Sequence, residues 1–212
     1  LRSPSVELWL IRHALPVRID APAHDDGTPA DPGLSEEGRD QAERMASWWG
    51  RFGVDSVVSS PLARARETAA SLAAAVGVAE VPTDDRLKEF DSHLPSYIPI
   101  EELRADPVRW QEAVDLWLSP EAEMERQAFR EVVVAGIDAL AAAAPGERMA
   151  VVCHGGVINA YLSTVLSLPG TMFFEPSYTS VSRVFVAPTH RMVISVNESS
   201  HLDRLVLPAT AR

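Results

Sequence analysis

The sequence is short of cysteine, of long apolar runs and of basic residues, and each shortage excludes a class of protein. One cysteine, Cys153, leaves no internal disulfide and makes a reducing cytoplasm the expected location. No run of about 18 apolar residues occurs, so we expect no membrane-spanning helix. The first ten residues also lack the basic and apolar regions of a secretory signal.

The shortage of basic residues gives the chain a strong negative charge. There are 19 Lys and Arg against 30 Asp and Glu, a net charge of −11. Such a chain repels nucleic acid and anionic membranes, so we expect neither as a partner. An anionic substrate would bind only where a few cationic side chains converge, which makes the positions of the arginines informative.

The hydrophobic pattern predicts an α/β fold. The 212 residues are 46% apolar and 23% charged, as expected for one globular domain spanning residues 1–212. Short apolar runs alternate with helical periodicity, which predicts a three-layer α/β/α sandwich with a mostly parallel central sheet. An irregular stretch around residues 92–120 is expected to form an inserted cap-like segment. The predicted strands are Val6–Ile11, Val54–Val58, Met149–Cys153, Val181–Val186 and Met192–Val196, and the predicted helices begin near Ser35, Pro61, Met124 and Gly155.

Three predicted strands end in residues suited to binding an anion. The first ends in Arg12 and His13, the second is followed one helical turn later by Arg64, and the third ends in His154. Ligands of open α/β sheets bind at the carboxyl ends of strands, so these side chains should share one site. Guanidinium groups match phosphate oxygens, and a neutral imidazole can attack phosphorus. No Asp-rich or Cys/His ligand set accompanies them, so we expect no metal.

Several strings, in order along the chain, resemble the histidine phosphatase superfamily, also called phosphoglycerate mutase-like. The resemblance extends from about residue 6 to residue 201. It is carried by Arg12-His13, LSEEGRDQA at 34–42, SSPLARARETA at 59–69, Glu89, VVCHGG at 151–156 and the closing segment 196–202.

The resemblance implies a phosphomonoester hydrolase without metal or other cofactor, acting on a small phosphorylated substrate. It implies that His13 becomes the phosphohistidine and that Arg12 and Arg64 hold the non-bridging phosphate oxygens. His154 would donate a hydrogen bond to the phosphoryl group, and Glu89 would be the general acid and then the general base.

The sequence departs from the family pattern at three places. Pro16 stands where the family often has threonine, and it removes a backbone donor from the loop after the first predicted strand. Ala14 stands where the family usually has glycine, and it is compatible with activity if its backbone has an ordinary φ. Residues 91–96 (DSHLPS) replace the family's aromatic-Glu-Gly string, which predicts a rebuilt substrate side. Arg18, His24 and His93 are the candidates for substrate contacts beyond the phosphate.

Two alternatives remain at this stage. The departures would also suit a module that binds a phosphorylated ligand with little turnover, and a phosphoglycerate mutase-type phosphotransferase is a weaker reading. A homodimer is expected only because symmetric dimers are common.

Overall fold

The structure is a computed structural model that describes residues 5–20, 27–117, 119–144 and 146–203. These residues form five β-strands and six α-helices. The strands are β1 (Val6–Arg12), β2 (Ser56–Ser59), β3 (Arg148–Cys153), β4 (Val181–Ala187) and β5 (His190–Glu198). The helices are α1 (Glu36–Trp49), α2 (Ala63–Val76), α3 (Ile100–Ala105), α4 (Pro107–Trp117), α5 (Pro120–Ala143) and α6 (Gly155–Val165).

The five strands form one mixed sheet in the order β2-β3-β1-β4-β5. Strands β2, β3 and β1 are parallel, whereas β4 is antiparallel to both β1 and β5. The α/β architecture is therefore confirmed, but the expectation of a mostly parallel sheet is wrong. A two-residue turn joins β4 to β5, and a connection of that length allows only antiparallel pairing.

Helices cover both faces of the sheet, and β1 shows how the sequence directs this. Leu8 and Leu10 face a core that includes residues of α5 and α6, whereas Trp9 and Ile11 face a core that includes residues of α1 and α2. Burying each of these side chains stabilises the fold by about 1.5–3 kcal/mol or somewhat more. Because both cores need apolar residues, the strand has an uninterrupted apolar run from Leu8 to Ile11, and polar side chains follow at its end.

Helix α1 is placed directly against the segment that follows His13. Its N-cap is Ser35, whose Oγ accepts a hydrogen bond from the Gly38 backbone N at 3.0 Å, as the sequence predicted. A Cβ on Gly38 would overlap the backbone carbonyl of Leu15, so glycine permits this close approach. The Leu15 backbone N also donates to Gln41 at 3.0 Å, which fixes the loop after β1 to the helix.

Helix α5 begins four residues before the predicted start at Met124. Ser119 is its N-cap and accepts from the Ala122 backbone N at 3.1 Å, and Pro120 occupies the first turn. These two residues are good start signals that the apolar periodicity does not reveal, because the first turn of the helix is charged.

The chain between β1 and α1 contacts the irregular stretch around residues 92–120. Ile19 and Tyr97 pair through both backbone groups at 2.8 and 2.9 Å, and Ala30 N donates to the Leu94 carbonyl at 2.8 Å. Within the stretch predicted as cap-like, the chain forms α3 and α4, and its function as a cap stays a prediction. In the part of the chain that the structure describes, no helix is both long and apolar enough to cross a membrane.

Candidate active site

Four of the predicted site residues meet at the carboxyl ends of the parallel strands. Arg12 ends β1 and His13 follows it, Arg64 lies in the first turn of α2, and His154 is the N-cap of α6. The centroids of the His13 and His154 rings are 5.0 Å apart. The exposed fractions of the four residues are 7%, 3%, 2% and 0%, so two cations and two imidazoles share a nearly buried site.

His13 is oriented by the backbone. Its own N donates to the Cys153 carbonyl at 2.9 Å, and its Nδ1 lies 2.8 Å from the Ala14 carbonyl oxygen. A carbonyl oxygen only accepts, so Nδ1 carries the proton and Nε2 keeps its lone pair. Burial, followed by the positive charges of Arg64 and Arg12, lowers the pKa of His13 well below 6.5. His13 is therefore a neutral imidazole with Nε2 free to attack.

Ala14 adopts an ordinary backbone conformation and is not among the described non-glycine residues with positive φ. Its N donates to the Thr68 hydroxyl at 3.0 Å, and its methyl group is fully buried against Leu34 and Ala42. The condition under which alanine is compatible with activity at this position is therefore met.

The two arginines retain N–H groups without partners. Arg12 Nη1 donates to the Pro176 carbonyl, but Arg12 Nε is buried without a hydrogen bond, as are Nε and Nη1 of Arg64. The carboxylates of Glu175 and Asp31 lie 4.0 and 3.9 Å from the nearer guanidinium nitrogens, beyond hydrogen-bond distance. The guanidinium groups are thus held near carboxylates but not occupied by them.

His154 offers another unpartnered atom to the same site. Its Nε2 lies 2.8 Å from Ser60 Oγ, which accepts from the Leu62 backbone N at 3.4 Å. The Ser60 proton can therefore go to Nε2, which leaves the ring proton on Nδ1, and Nδ1 is buried without a partner. Burial, Arg64, His13 and Arg12 all lower the pKa of His154, so it stays neutral. Unsatisfied buried donors cost about 1–3 kcal/mol each, and their convergence indicates a site for an acceptor-rich anion.

Glu89 is joined to the helix that follows His154. Its Oε2 accepts from the Gly156 backbone N at 2.9 Å, and its Oε1 accepts from the Phe90 backbone N at 2.9 Å. A Cβ on Gly156 would overlap the Glu89 carboxylate, so glycine is required for this contact. Burial and the negative charge of Asp91 raise the pKa of Glu89, which favours a protonated acid.

We searched the described ranges for side chains that could bind a metal ion together. Among those residues, no group of three or more His, Cys, Asp or Glu side chains is placed to hold a metal ion.

A family model described as the histidine phosphatase superfamily (branch 1) matches residues 8–199. The chain belongs to this superfamily. The expected family is confirmed, and the match runs from the third residue of β1 to the residue after β5.

The proteins to which this histidine phosphatase chain is similar include some named as mutases and some named as phosphatases. It is 29% identical over 168 residues to the probable phosphoglycerate mutase GpmB of Yersinia enterocolitica, covering 77% of this chain and 76% of the relative. A mutant phosphoserine phosphatase from Entamoeba histolytica in complex with phosphoserine superposes with a TM-score of 0.71 at 23% identity, covering 93% of this chain and 100% of the other. A phosphoglycerate mutase from Bacillus anthracis has a TM-score of 0.68 at 20% identity, covering 94% and 96%. These structural likenesses show the shared fold.

The structure does not group the predicted substrate contacts with Arg12, Arg64 and His154. Arg18 is exposed and occupied, because it donates to Asp20 at 2.8 Å and to Glu102 of α3 at 2.6 Å. His93 is exposed, next to the segment that carries Glu89. His24 lies outside the described residues.

Two residues that contact the arginines were not predicted from the sequence. Tyr178 precedes β4, and its ring centroid lies 3.9 Å from the Arg12 guanidinium carbon, while the Tyr97 ring lies 4.8 Å from that of Arg64. Both tyrosines follow irregular segments without a motif. Only the expectation that residues around 92–120 fold over one end of the sheet pointed towards Tyr97.

Proposed function

We propose that this chain hydrolyses phosphomonoesters through a phosphohistidine intermediate on His13, without a metal or another cofactor. The observation that carries the proposal is the neutral His13 with a free Nε2, placed beside four unpartnered buried donor atoms on Arg12, Arg64 and His154. A phosphoryl group has enough oxygen acceptors to satisfy those donors.

In the first step, the Nε2 lone pair of His13 attacks phosphorus and the bond from phosphorus to the leaving oxygen breaks. Arg12 and Arg64 bind the non-bridging oxygens, and His154 donates from Nδ1 as negative charge builds on them. Glu89 gives its proton to the leaving oxygen, so that the alcohol departs neutral.

In the second step, water attacks the phosphohistidine. The Glu89 carboxylate takes a proton from that water, the phosphorus–nitrogen bond breaks, and inorganic phosphate leaves with its oxygens still bound by the arginines. His13 returns to the neutral form and Glu89 to the acid, so one cycle consumes one ester and one water.

The substrate we propose is a small phosphorylated metabolite, with the segment around 92–120 acting as a cap over the leaving group. Support comes from the hydrogen bond between Arg18 and Glu102, which joins the chain after β1 to helix α3 of that segment. A homodimer remains a prediction.

The test of the nucleophile is turnover of an aryl phosphate in excess chelator by the parent and by His13→Ala. We expect activity in chelator and a loss of about 10³-fold or more in the variant, because the covalent route is removed. Equal turnover by the two proteins would exclude His13 as the nucleophile. Loss of parental activity in chelator would exclude the metal-free mechanism.

A phosphoglycerate mutase remains a second candidate because the curated relative carries that name. It predicts exchange of phosphate between glycerates, whereas the hydrolase predicts net release of inorganic phosphate. Incubation with phosphoglycerate and quantification of both products distinguishes them. The alternative of a binding module rests on Ala14 and on the altered segment after Glu89. Because Ala14 has an ordinary φ, the altered segment is the remaining support for that alternative.

A further inference from the structure

Each phosphate-binding arginine lies against the ring of a tyrosine that the proposed chemistry does not use. The Arg12 guanidinium carbon is 3.9 Å from the centroid of the Tyr178 ring, and that of Arg64 is 4.8 Å from the centroid of Tyr97. Tyr178 comes from the loop before β4, and Tyr97 comes from the irregular segment before α3. Two unrelated parts of the chain therefore supply the same kind of contact.

A tyrosine ring holds a guanidinium group without using its hydrogen bonds. A contact through the face of a guanidinium leaves its N–H groups, which lie in the plane, available for other acceptors. Consistent with this, Arg12 Nε and both Nε and Nη1 of Arg64 have no hydrogen-bond partner. A carboxylate in the same place would orient each arginine equally well, but it would occupy the N–H groups and compete with the phosphate.

Both tyrosines are themselves fixed. Tyr97 exchanges two backbone hydrogen bonds with Ile19, and the Tyr178 carbonyl accepts from the Thr179 hydroxyl at 2.7 Å. The Thr179 backbone N donates to the Arg12 carbonyl at 3.1 Å, so Tyr178 is tied to the strand end that carries the site. Burial raises the pKa of both phenols, which keeps them uncharged beside an anion site.

We propose that Tyr97 and Tyr178 are positioning residues that hold Arg64 and Arg12 through cation–π contacts and leave Arg12 Nε and both Nε and Nη1 of Arg64 free for the phosphoryl oxygens. This inference rests on the proposed function for the identity of the bound group. It adds that the segment around Tyr97 contributes to phosphate affinity, in addition to any contact with the leaving group.

The experiment measures inhibition by orthovanadate, together with kcat and KM for an aryl phosphate, in Leu and Phe variants of each tyrosine. Tyr97→Leu and Tyr178→Leu remove the aromatic face and should weaken vanadate inhibition by about 3- to 30-fold, the range of a partly desolvated cation–π contact. Tyr97→Phe and Tyr178→Phe keep the face and should stay within about threefold of the parent. Trp48→Leu is the matched control, because Arg51 lies 4.3 Å from that ring in a surface pair elsewhere.

A second series keeps an aromatic ring at position 97 and lowers the electron density on its face stepwise, starting from Tyr97→Phe. Replacing Tyr97 with progressively fluorinated phenylalanines weakens the negative face of the ring, so vanadate affinity should fall in step with fluorination. This series also decides the matter if a leucine variant fails to fold. Unchanged affinity across the series, or equal losses in the Phe and Leu variants, would overturn the proposal.

Calorimetric titration with inorganic phosphate separates this inference from the hydrolase mechanism. If the parent binds phosphate but does not turn over, the proposed function fails, and the two variant series still test the role of the tyrosines through binding. If His13→Ala abolishes turnover while the fluorinated variants bind phosphate like the parent, the mechanism stands and the inference about the tyrosines fails.

Discussion

The two sides of the site are built in different ways. The phosphate side and the leaving-group side are named after the proposed function. The phosphate side consists of Arg12, His13 and His154 at strand ends and Arg64 in the first turn of a helix, all buried. The leaving-group side consists of Glu89 and the segment up to Tyr97, which has no regular strand or helix and is held by scattered hydrogen bonds. In the proposed function, the first binds the phosphoryl group. The leaving-group side is formed by irregular segments, and such segments are where proteins of one fold differ in substrate.

The largest expected effect lies on the leaving-group side, where Glu89→Gln removes the proton donor. We expect kcat for a poor leaving group to fall by about 10²–10⁴-fold, with a much smaller loss for an activated aryl phosphate that leaves without protonation. Parallel kcat measurements on an alkyl and an aryl ester check this. Equal losses for both esters would show that Glu89 acts on the phosphoryl group, and the two sides would no longer be separate in function.

The pH profile sharpens the same comparison. Activity should rise with pH as His13 loses its proton, through a pKa below the ordinary 6.5, and fall as Glu89 loses its proton, through a pKa above the ordinary 4.5. The optimum for an alkyl ester should therefore lie between these two pKa values, with the alkaline limb missing in Glu89→Gln. Profiles of kcat from pH 4 to 9 in both proteins test this assignment. If the alkaline limb persists in the variant, it reports the titration of a group other than Glu89.

On the phosphate side, Arg64 should contribute to activity and reduce stability. Arg64→Met should lower kcat/KM by about 10²–10³-fold, because a charged donor to the transition state is lost. The same change should leave the free energy of unfolding equal to or about 1 kcal/mol above that of the parent, since two unsatisfied buried donors disappear.

Arg126→Met is the matched control for that prediction. Arg126 is similarly buried, but its Nε donates to Glu123 at 3.2 Å. Its replacement should lower the free energy of unfolding by about 1–3 kcal/mol and leave kcat/KM near that of the parent. Urea unfolding of the three proteins provides the comparison. Equal destabilisation by both variants would show that the Arg64 donors are satisfied in the free protein.

The difference between the two sides also explains what the sequence could predict. Arg12, His13 and His154 directly follow apolar runs, so the rule that parallel strands end at one edge of the sheet was enough to bring them together. The antiparallel pairing of β4 with β1 could not be predicted in the same way, because a buried apolar run does not show the direction of the strand beside it. Tyr97 depends on backbone pairing with Ile19, a contact between two irregular segments 78 positions apart, which no periodicity encodes.

Gly156 connects the two sides, and adding one methyl group there should disturb the acid without touching the phosphate side. A Cβ at position 156 would overlap the Glu89 carboxylate, so Gly156→Ala should displace the acid and lower kcat for an alkyl ester by about 10- to 10²-fold. Gly170→Ala is the control, because apart from its chain neighbours no atom of the described residues would lie within 4 Å of its Cβ. Vanadate inhibition should change little in either variant, and a large loss in Gly156→Ala would mean that the methyl group disturbs the phosphate side as well.

The smallest expected effect concerns the support behind the phosphate side. His201 lies between Trp49 and Thr179: the Trp49 indole N–H donates to its Nδ1 at 3.4 Å, and its Nε2 is 2.9 Å from the Thr179 hydroxyl. Burial lowers the pKa of His201 from 6.5 to about 4. The unfolded chain therefore binds a proton at this residue at higher pH than the folded chain does, and stability from the neutral ring is present above pH 6.5 and is lost as the pH falls from 6.5 towards 4.

Replacing His201 should consequently matter less in acid. We expect His201→Ala to lower the free energy of unfolding by about 1–2 kcal/mol at pH 7.5, through the loss of two buried hydrogen bonds. The difference between parent and variant should shrink towards pH 4.5, because there the parent alone bears the cost of keeping the ring neutral. Urea unfolding at the two pH values measures it, and taking the difference cancels the titration of His13 and His154, which both proteins share. A difference that stays constant would show that His201 is protonated equally in the folded and unfolded chains, so that the phosphate side is supported by packing of the ring and not by its hydrogen bonds.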